Sequence, residues 1–187
     1  MKKIITMLLA LAMMLSLAAC GGTAAEPTEA PTEPALTLSG TMEELVNQVI
    51  ENQPVEFMGG MIPVDLADTS EDGLWAIKNF TGLDSAEQIT DVAVFEPMMG
   101  SIPFSLVMVR SATGATKDLA ESMKSSIDTR KWICVEADDL KVAGFGDTVM
   151  LIMVGSDTGM TAQSFVDAFQ KVCAAQHEGA QLEFVLE

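Results

Sequence analysis

From Thr41 onward, apolar residues fall three and four apart: Leu45, Val46, Val49 and Ile50 form one helical stripe, which Pro54 stops. Thr41 with Glu44 three residues later is a capping-box start for that helix. A shorter helix is predicted over 70–80, with Leu74, Ile77 and Phe80 on one side. The pattern then changes period. Residues 89–96 alternate and are rich in β-branched side chains, 97–101 read as a turn, and 102–110 read as a second strand, which together make a hairpin. Residues 116–128 return to helical spacing through Leu119, Met123 and Ile127. Residues 140–145 and 148–154 flank Gly146-Asp147, a second hairpin signal. A last helix over 161–174 carries Phe165, Phe169, Val172 and Cys173, and 182–186 can close the chain as a short strand. The order α, α, ββα, ββα predicts an α+β fold. Its antiparallel sheet is built from two ββα units with helices on one face, preceded by one or two N-terminal helices. Residues 149–154 are apolar throughout, which predicts a central strand.

The first forty residues follow no such pattern. Met1-Lys2-Lys3 is basic, and 4–17 is an apolar run interrupted only by Thr6 and Ser16. A basic end, a short apolar core and small residues before a cleavage point describe a secretory signal peptide. The run is shorter than the roughly 20 residues a membrane span needs. Its ending, Leu17-Ala18-Ala19-Cys20, resembles the lipobox of bacterial lipoproteins. The resemblance implies that residues 1–19 are removed and that the Cys20 thiol takes a diacylglycerol. The domain is then held on the extracytoplasmic face of the cell membrane, because two acyl chains anchor stably where one binds only marginally. Residues 20–40 include three Glu set among Pro and Thr, a composition of extended, self-repelling spacers. Residues 41–187 are expected to be a single domain, of a size that buries a core without staples.

The chain has 187 residues and a formal net charge of −17. Removing residues 1–19 takes away Lys2 and Lys3 but no acid, so the mature charge falls to −19. Phosphate backbones are bound by basic patches, which excludes nucleic acid as a partner. The 49% hydrophobic content excludes a disordered chain.

The segment layout also resembles a family of lipoproteins of low-GC Gram-positive bacteria, with one domain after a lipobox and an acidic or Thr-rich spacer. The similar parts are Phe80-Thr81-Gly82-Leu83-Asp84, the strand pair over 92–110, and Arg130-Lys131-Trp132-Ile133-Cys134-Val135-Glu136-Ala137 leading to Gly146-Asp147-Thr148-Val149. That family's domain is of unknown function, so the resemblance implies a fold and a location and no catalytic residue.

Candidate chemistry is sparse. The chain's single His, His177, sits in a polar run after the last helix; it can be read as a general base or as a solvated helix-end residue. No G-x-S-x-G is present, and Gly144-Phe145-Gly146-Asp147 lacks the spacing of a nucleotide loop. Cys134 and Cys173 are an even pair once Cys20 is lipidated: either a disulfide or two small buried hydrophobes. Asp65, Asp68, Glu71 and Asp72 are a weak calcium candidate without EF-hand spacing, equally read as an acidic loop before a helix. Met58, Met61, Met98 and Met99 offer soft thioethers for Cu(I), or simply fill gaps in a core. Arg130-Lys131-Trp132 is the densest basic spot and a candidate interaction site, against a packed Trp beside solvated cations. No cofactor is expected. The leading expectation is a non-catalytic, lipid-anchored module that binds an envelope protein or a small ligand, with a small envelope enzyme as the rival.

Overall fold

The computed structural model describes residues 36–187. The lipobox with Cys20, and the spacer up to residue 35, lie outside the described residues. The elements are α1 (Met42–Asn52), β1 (Gly59–Ile62), α2 (Glu71–Thr81), β2 (Ile89–Pro97), β3 (Phe104–Ser111), α3 (Thr116–Ser126), β4 (Asp139–Phe145), β5 (Thr148–Val154), a 3₁₀ turn (Ser156–Thr158), α4 (Ala162–Gln176) and β6 (Phe184–Leu186). The six strands form one open sheet in the order β1-β2-β3-β5-β4-β6, with every neighbouring pair antiparallel. The fold is therefore α+β with an antiparallel sheet made of two ββα units, as the periodicities predicted.

The helices do not lie on one face; this corrects the expectation. Apolar side chains of α1 and α4 pack on Phe104, Leu106 and Met108 of β3 and on Met150, Ile152 and Val154 of β5. Those of α2 and α3 pack on Val107 and Val109 of β3 and on Val149, Leu151 and Met153 of β5. Both faces are covered, and that is why every residue of β5 is apolar apart from Thr148 and all are buried. Strand β5 lies between β3 and β4, the central place its sequence predicted.

Local chemistry sets the helix ends. Thr41 Oγ1 accepts from Glu44 N–H at 3.2 Å while Glu44 Oε2 accepts from Thr41 N–H at 2.8 Å, closing the capping box. Ser70 and Thr161 cap α2 and α4 through their hydroxyls. Strand β1 was not foreseen: its four residues open with two glycines, which carry no strand signal, and it survives as an edge.

Residues 36–40, assigned by composition to the spacer, belong to the domain. Leu38 is in the core. Arg110, at the end of β3, donates to the Leu38 carbonyl at 3.1 Å and to the Gly40 carbonyl at 2.8 Å, and pairs with Asp147 at 2.6 Å. The Ser39 amide donates to Gln176 Oε1 at 2.7 Å, and His177 Nε2 lies 3.0 Å from the Thr37 carbonyl. Gly146 has φ +58°, a positive value that glycine adopts readily and that suits the first central residue of the two-residue turn between Phe145 and Thr148. A Cβ there would lie 1.6 Å from the Leu36 carbonyl oxygen. Gly146→Ala should therefore destabilise the domain more than Gly159→Ala, whose φ of +74° carries similar strain but whose Cβ meets nothing. The control is expected to lose about 1–2 kcal/mol, and Gly146→Ala about 1–3 kcal/mol beyond that. Urea unfolding of both variants measures the difference, and equal losses would mean that the Leu36 contact contributes nothing.

Candidate functional site

The sheet has two unlike ends. At one, the Arg110–Asp147 pair and the Gly146 turn hold residues 36–40. The other end lies six residues back along β3, about 20 Å away at the usual rise. There β1 begins, β2 ends and the chain turns through Pro97-Met98-Met99. Met98 N–H donates to the Met58 carbonyl at 2.9 Å, one step beyond the Gly59–Pro97 pair. This sets Met58 and Met98 opposite each other, with Met99 next in the chain. Opposed residues of an antiparallel pair share a face of the sheet. Their side chains are exposed by 78%, 73% and 60%. Large apolar side chains exposed this far and this near one another along the backbone are of the kind found at contact surfaces.

Near this end, on the α1–α4 face and so across the sheet from the face of Met58 and Met98, is a cleft of about 310 Å³, lined by Phe57, Ile102, Pro103 and Met160, with Glu56 and Asp157 on it. The aromatic core supports it: Phe57 stands edge-on to Phe104 at 5.1 Å, and Phe104 to Phe165 at 5.1 Å. Met61 packs toward that core, so the Met58–Met61 pair is split and Met58 faces Met98 instead.

At Arg130-Lys131-Trp132 the expectation of two solvated cations is corrected for Lys131. Lys131 is not solvated: its side chain is 5% exposed, with Nζ 2.6 Å from Glu96 Oε1. That contact does not line up as a hydrogen bond, so the buried Glu96 oxygen has no aligned donor. Nζ also reaches the Asn79 carbonyl and Ser105 Oγ at 3.3 Å, and lies 4.8 Å from the Phe80 ring and 5.3 Å from that of Trp132. Burial pulls the Lys131 ammonium below its ordinary range, with Glu96 and Asp128 opposing. Trp132 is half-buried against the α2–α3 side of the core, and exposed Arg130 pairs with Glu136 at 3.2 Å. Lys131 is a buried staple for the loop between α3 and β4.

The disulfide is also corrected. Cys134 and Cys173 are free. Cys173 lies in the core beneath α4, where burial pushes its thiol up to about 12; Cys134 is exposed in the loop on the opposite side of the sheet. Asp65 and Asp68 accept backbone N–H groups of their own loop, from Ala67 and Ser70. Among the described residues no three of His, Cys, Asp and Glu converge as metal ligands, and the Asp65, Asp68, Glu71, Asp72 run is no exception. His177 ends α4, holds Thr37 and packs on Phe145, centroids 5.5 Å apart, so its place is structural. The carboxylates whose pKa moves all move down: Asp68 through the Ser70 hydroxyl and amide, Asp138 through those of Ser156, Glu187 through Lys141.

No family model, curated protein or solved structure matches the chain. Among the described residues no helix is long and apolar enough to cross a membrane.

Two measurements check this assignment. Lys131→Met alone leaves Glu96 buried and unpaired and should cost about 3–5 kcal/mol, whereas adding Glu96→Leu should recover most of the loss. Because unfolded Lys131 binds its proton more tightly than the native side chain, wild-type stability should gain on the double variant as pH rises from the depressed native pKa towards 10.5. A parallel pH profile would remove the buried charge from the account. In the Cys20→Ala chain, a thiol reagent should modify Cys134 at once and Cys173 only after unfolding. No reactive thiol in the denatured, unreduced chain would restore the bridge.

Proposed function

We propose that the chain is an extracytoplasmic lipoprotein, anchored through Cys20, whose domain is a non-catalytic module that docks a protein partner at the Met58, Met98, Met99 corner. Location and anchoring rest on the signal peptide and the lipobox resemblance, and the layout also fits the low-GC Gram-positive family named above. One observation carries the docking reading: three exposed, adjacent methionines stand at the end of the sheet remote from residue 36, where the spacer joins. A tether attached at one end leaves the other free to meet a partner. Confinement to the membrane raises the effective concentration of both, so a contact of modest area suffices.

Crosslinking and pull-down from intact cells test it, comparing wild type, Cys20→Ala and Met58→Gln/Met98→Gln/Met99→Gln. Substituting exposed side chains should leave stability within about 0.5 kcal/mol. One dominant protein should be captured by wild type and lost, by about tenfold or more, in both variants. Capture unchanged in the triple variant would move the contact elsewhere, and no reproducible capture by wild type would end the docking reading.

A further inference from the structure

Given the docking reading above, the edge on which the methionine corner stands specifies the partner more narrowly. Strand β1 is the outermost strand of the sheet. Its register with β2 continues one step to Met58 and Met98, whose backbones are joined by the 2.9 Å bond. Bonded and non-bonded pairs alternate along an antiparallel ladder, so Met58, Gly60 and Ile62 turn their backbone groups toward β2. The N–H and C=O groups of Gly59 and Met61 therefore point away from the sheet, and among the described residues no further strand takes them. All four residues of β1 are part-exposed, and Pro63, which has no N–H, ends the open stretch. Edge strands are commonly blunted by charge. The opposite edge, β6, is bracketed by Glu183 and Glu187, whereas residues 58–62 carry no charge at all.

This edge also has a bare seat. Gly59 is covered by the Phe95 ring, where a Cβ would come within 2.5 Å, but a Cβ on Gly60 would meet nothing within 4 Å. By alternation Gly60 shares its face with Met58 and Ile62. An aromatic side chain on a neighbouring strand covers a glycine of this kind, and a methionine beside it adds a sulfur contact. Acids bracket the apolar stretch. Glu56 precedes it and is exposed; past its end, a groove of about 470 Å³ is lined by Met61, Ile62, Val92 and Val94, with exposed Glu43 and Asp65 on it. Among the described residues none of these three acids is in an ion pair. A second copy of the chain would bring the same acids, and a net charge of −17, to the edge and be repelled. We infer that the partner presents an extended segment that adds to the sheet as a strand on Gly59 and Met61, seats an aromatic side chain over Gly60 beside Met58, and carries Lys or Arg at both ends.

Labelled peptides of about ten residues, ~33 Å when extended, test this. The first alternates Val and Thr around one central Phe, with Lys at each end. The second is the same with N-methyl groups through its centre, which keep the side chains and block the ladder. The third has Glu at each end. They are titrated by fluorescence anisotropy against the chain from residue 20 bearing Cys20→Ala, which retains every described residue and has no lipid to bind peptide. The first should bind at least about tenfold more tightly than the other two, and added salt should weaken it. Its affinity should fall several-fold in Met58→Gln/Met98→Gln/Met99→Gln. Replacing its Phe by Ala should cost about tenfold against the wild-type domain and little against Gly60→Val, which covers the seat itself and should keep or raise the urea midpoint. Equal binding of the N-methylated peptide would overturn strand addition, and equal binding of the Glu-ended peptide would overturn the basic ends. A Phe contribution equal in both chains would remove the seat over Gly60. Sedimentation showing a dimer of the wild-type domain and a monomer of Gly60→Val would give the edge to a second copy and overturn the inference. If no peptide binds while capture in cells still depends on the three methionines, the added strand is wrong and the docking corner stands; if that capture fails too, both fall.

Discussion

Seven consecutive pairings between β3 and β5, from Phe104 opposite Val154 to Arg110 opposite Thr148, join two hairpins that would otherwise be separate. Neither hairpin has a covered face of its own. Paired at their inner strands they present two continuous apolar surfaces, one taken by α1 and α4 and the other by α2 and α3. The same pairing fixes the direction of β3 and so decides what stands at each end. Arg110 and the Gly146 turn meet at one, where residues 36–40 are held; the Met58 and Met98 pair stands at the other. The separation of tether and contact corner is a consequence of sheet register.

The Lys131–Glu96 pair is the least expected feature. An ion pair removed from water gains little over well-packed apolar side chains of similar size. Here it ties the loop between α3 and β4 to the end of β2, through Phe80, Ser105 and the Asn79 carbonyl as well as Glu96. Within that loop the Ala137 amide donates to the Thr129 carbonyl, and Asp128 accepts from the Arg130 amide. The pair also withdraws positive charge from the neighbourhood of the methionine corner, so a structural device shapes the field that an approaching partner meets.

Much of the fold was legible because local signals agreed with it. The capping box at Thr41, the helical stripes and the Gly146-Asp147 turn all lie where the sequence pattern put them, and Ser70 and Thr161 cap the helices predicted to start there. Two-sided burial was written in the unbroken apolar run of β5, which a sheet covered on one face does not need. Strand β1 was hidden because Gly59-Gly60 has no propensity to declare. Leu36-Thr37-Leu38 was hidden by the Pro/Thr/Glu run before it. The site was less legible, since it depends on residues distant in sequence. Basic residues beside Trp132 read as surface, and only tertiary structure shows that Lys131 reaches Glu96. Two methionines in a turn that ordinarily takes polar residues were a signal, but their partner Met58 is forty residues away, and the β1–β2 pairing that unites them could not be read from either segment alone.

The most direct test of the account places a photoreactive phenylalanine derivative at position 58 of the lipidated protein in living cells, with the same probe at position 75. Trp75 is also exposed, but belongs to α2 and not to the β1–β2 corner. One protein adduct is expected from position 58 and none from position 75. Adducts from position 75 alone, or the same mixture from both, would contradict the claim that the methionine corner is where this domain meets its partner.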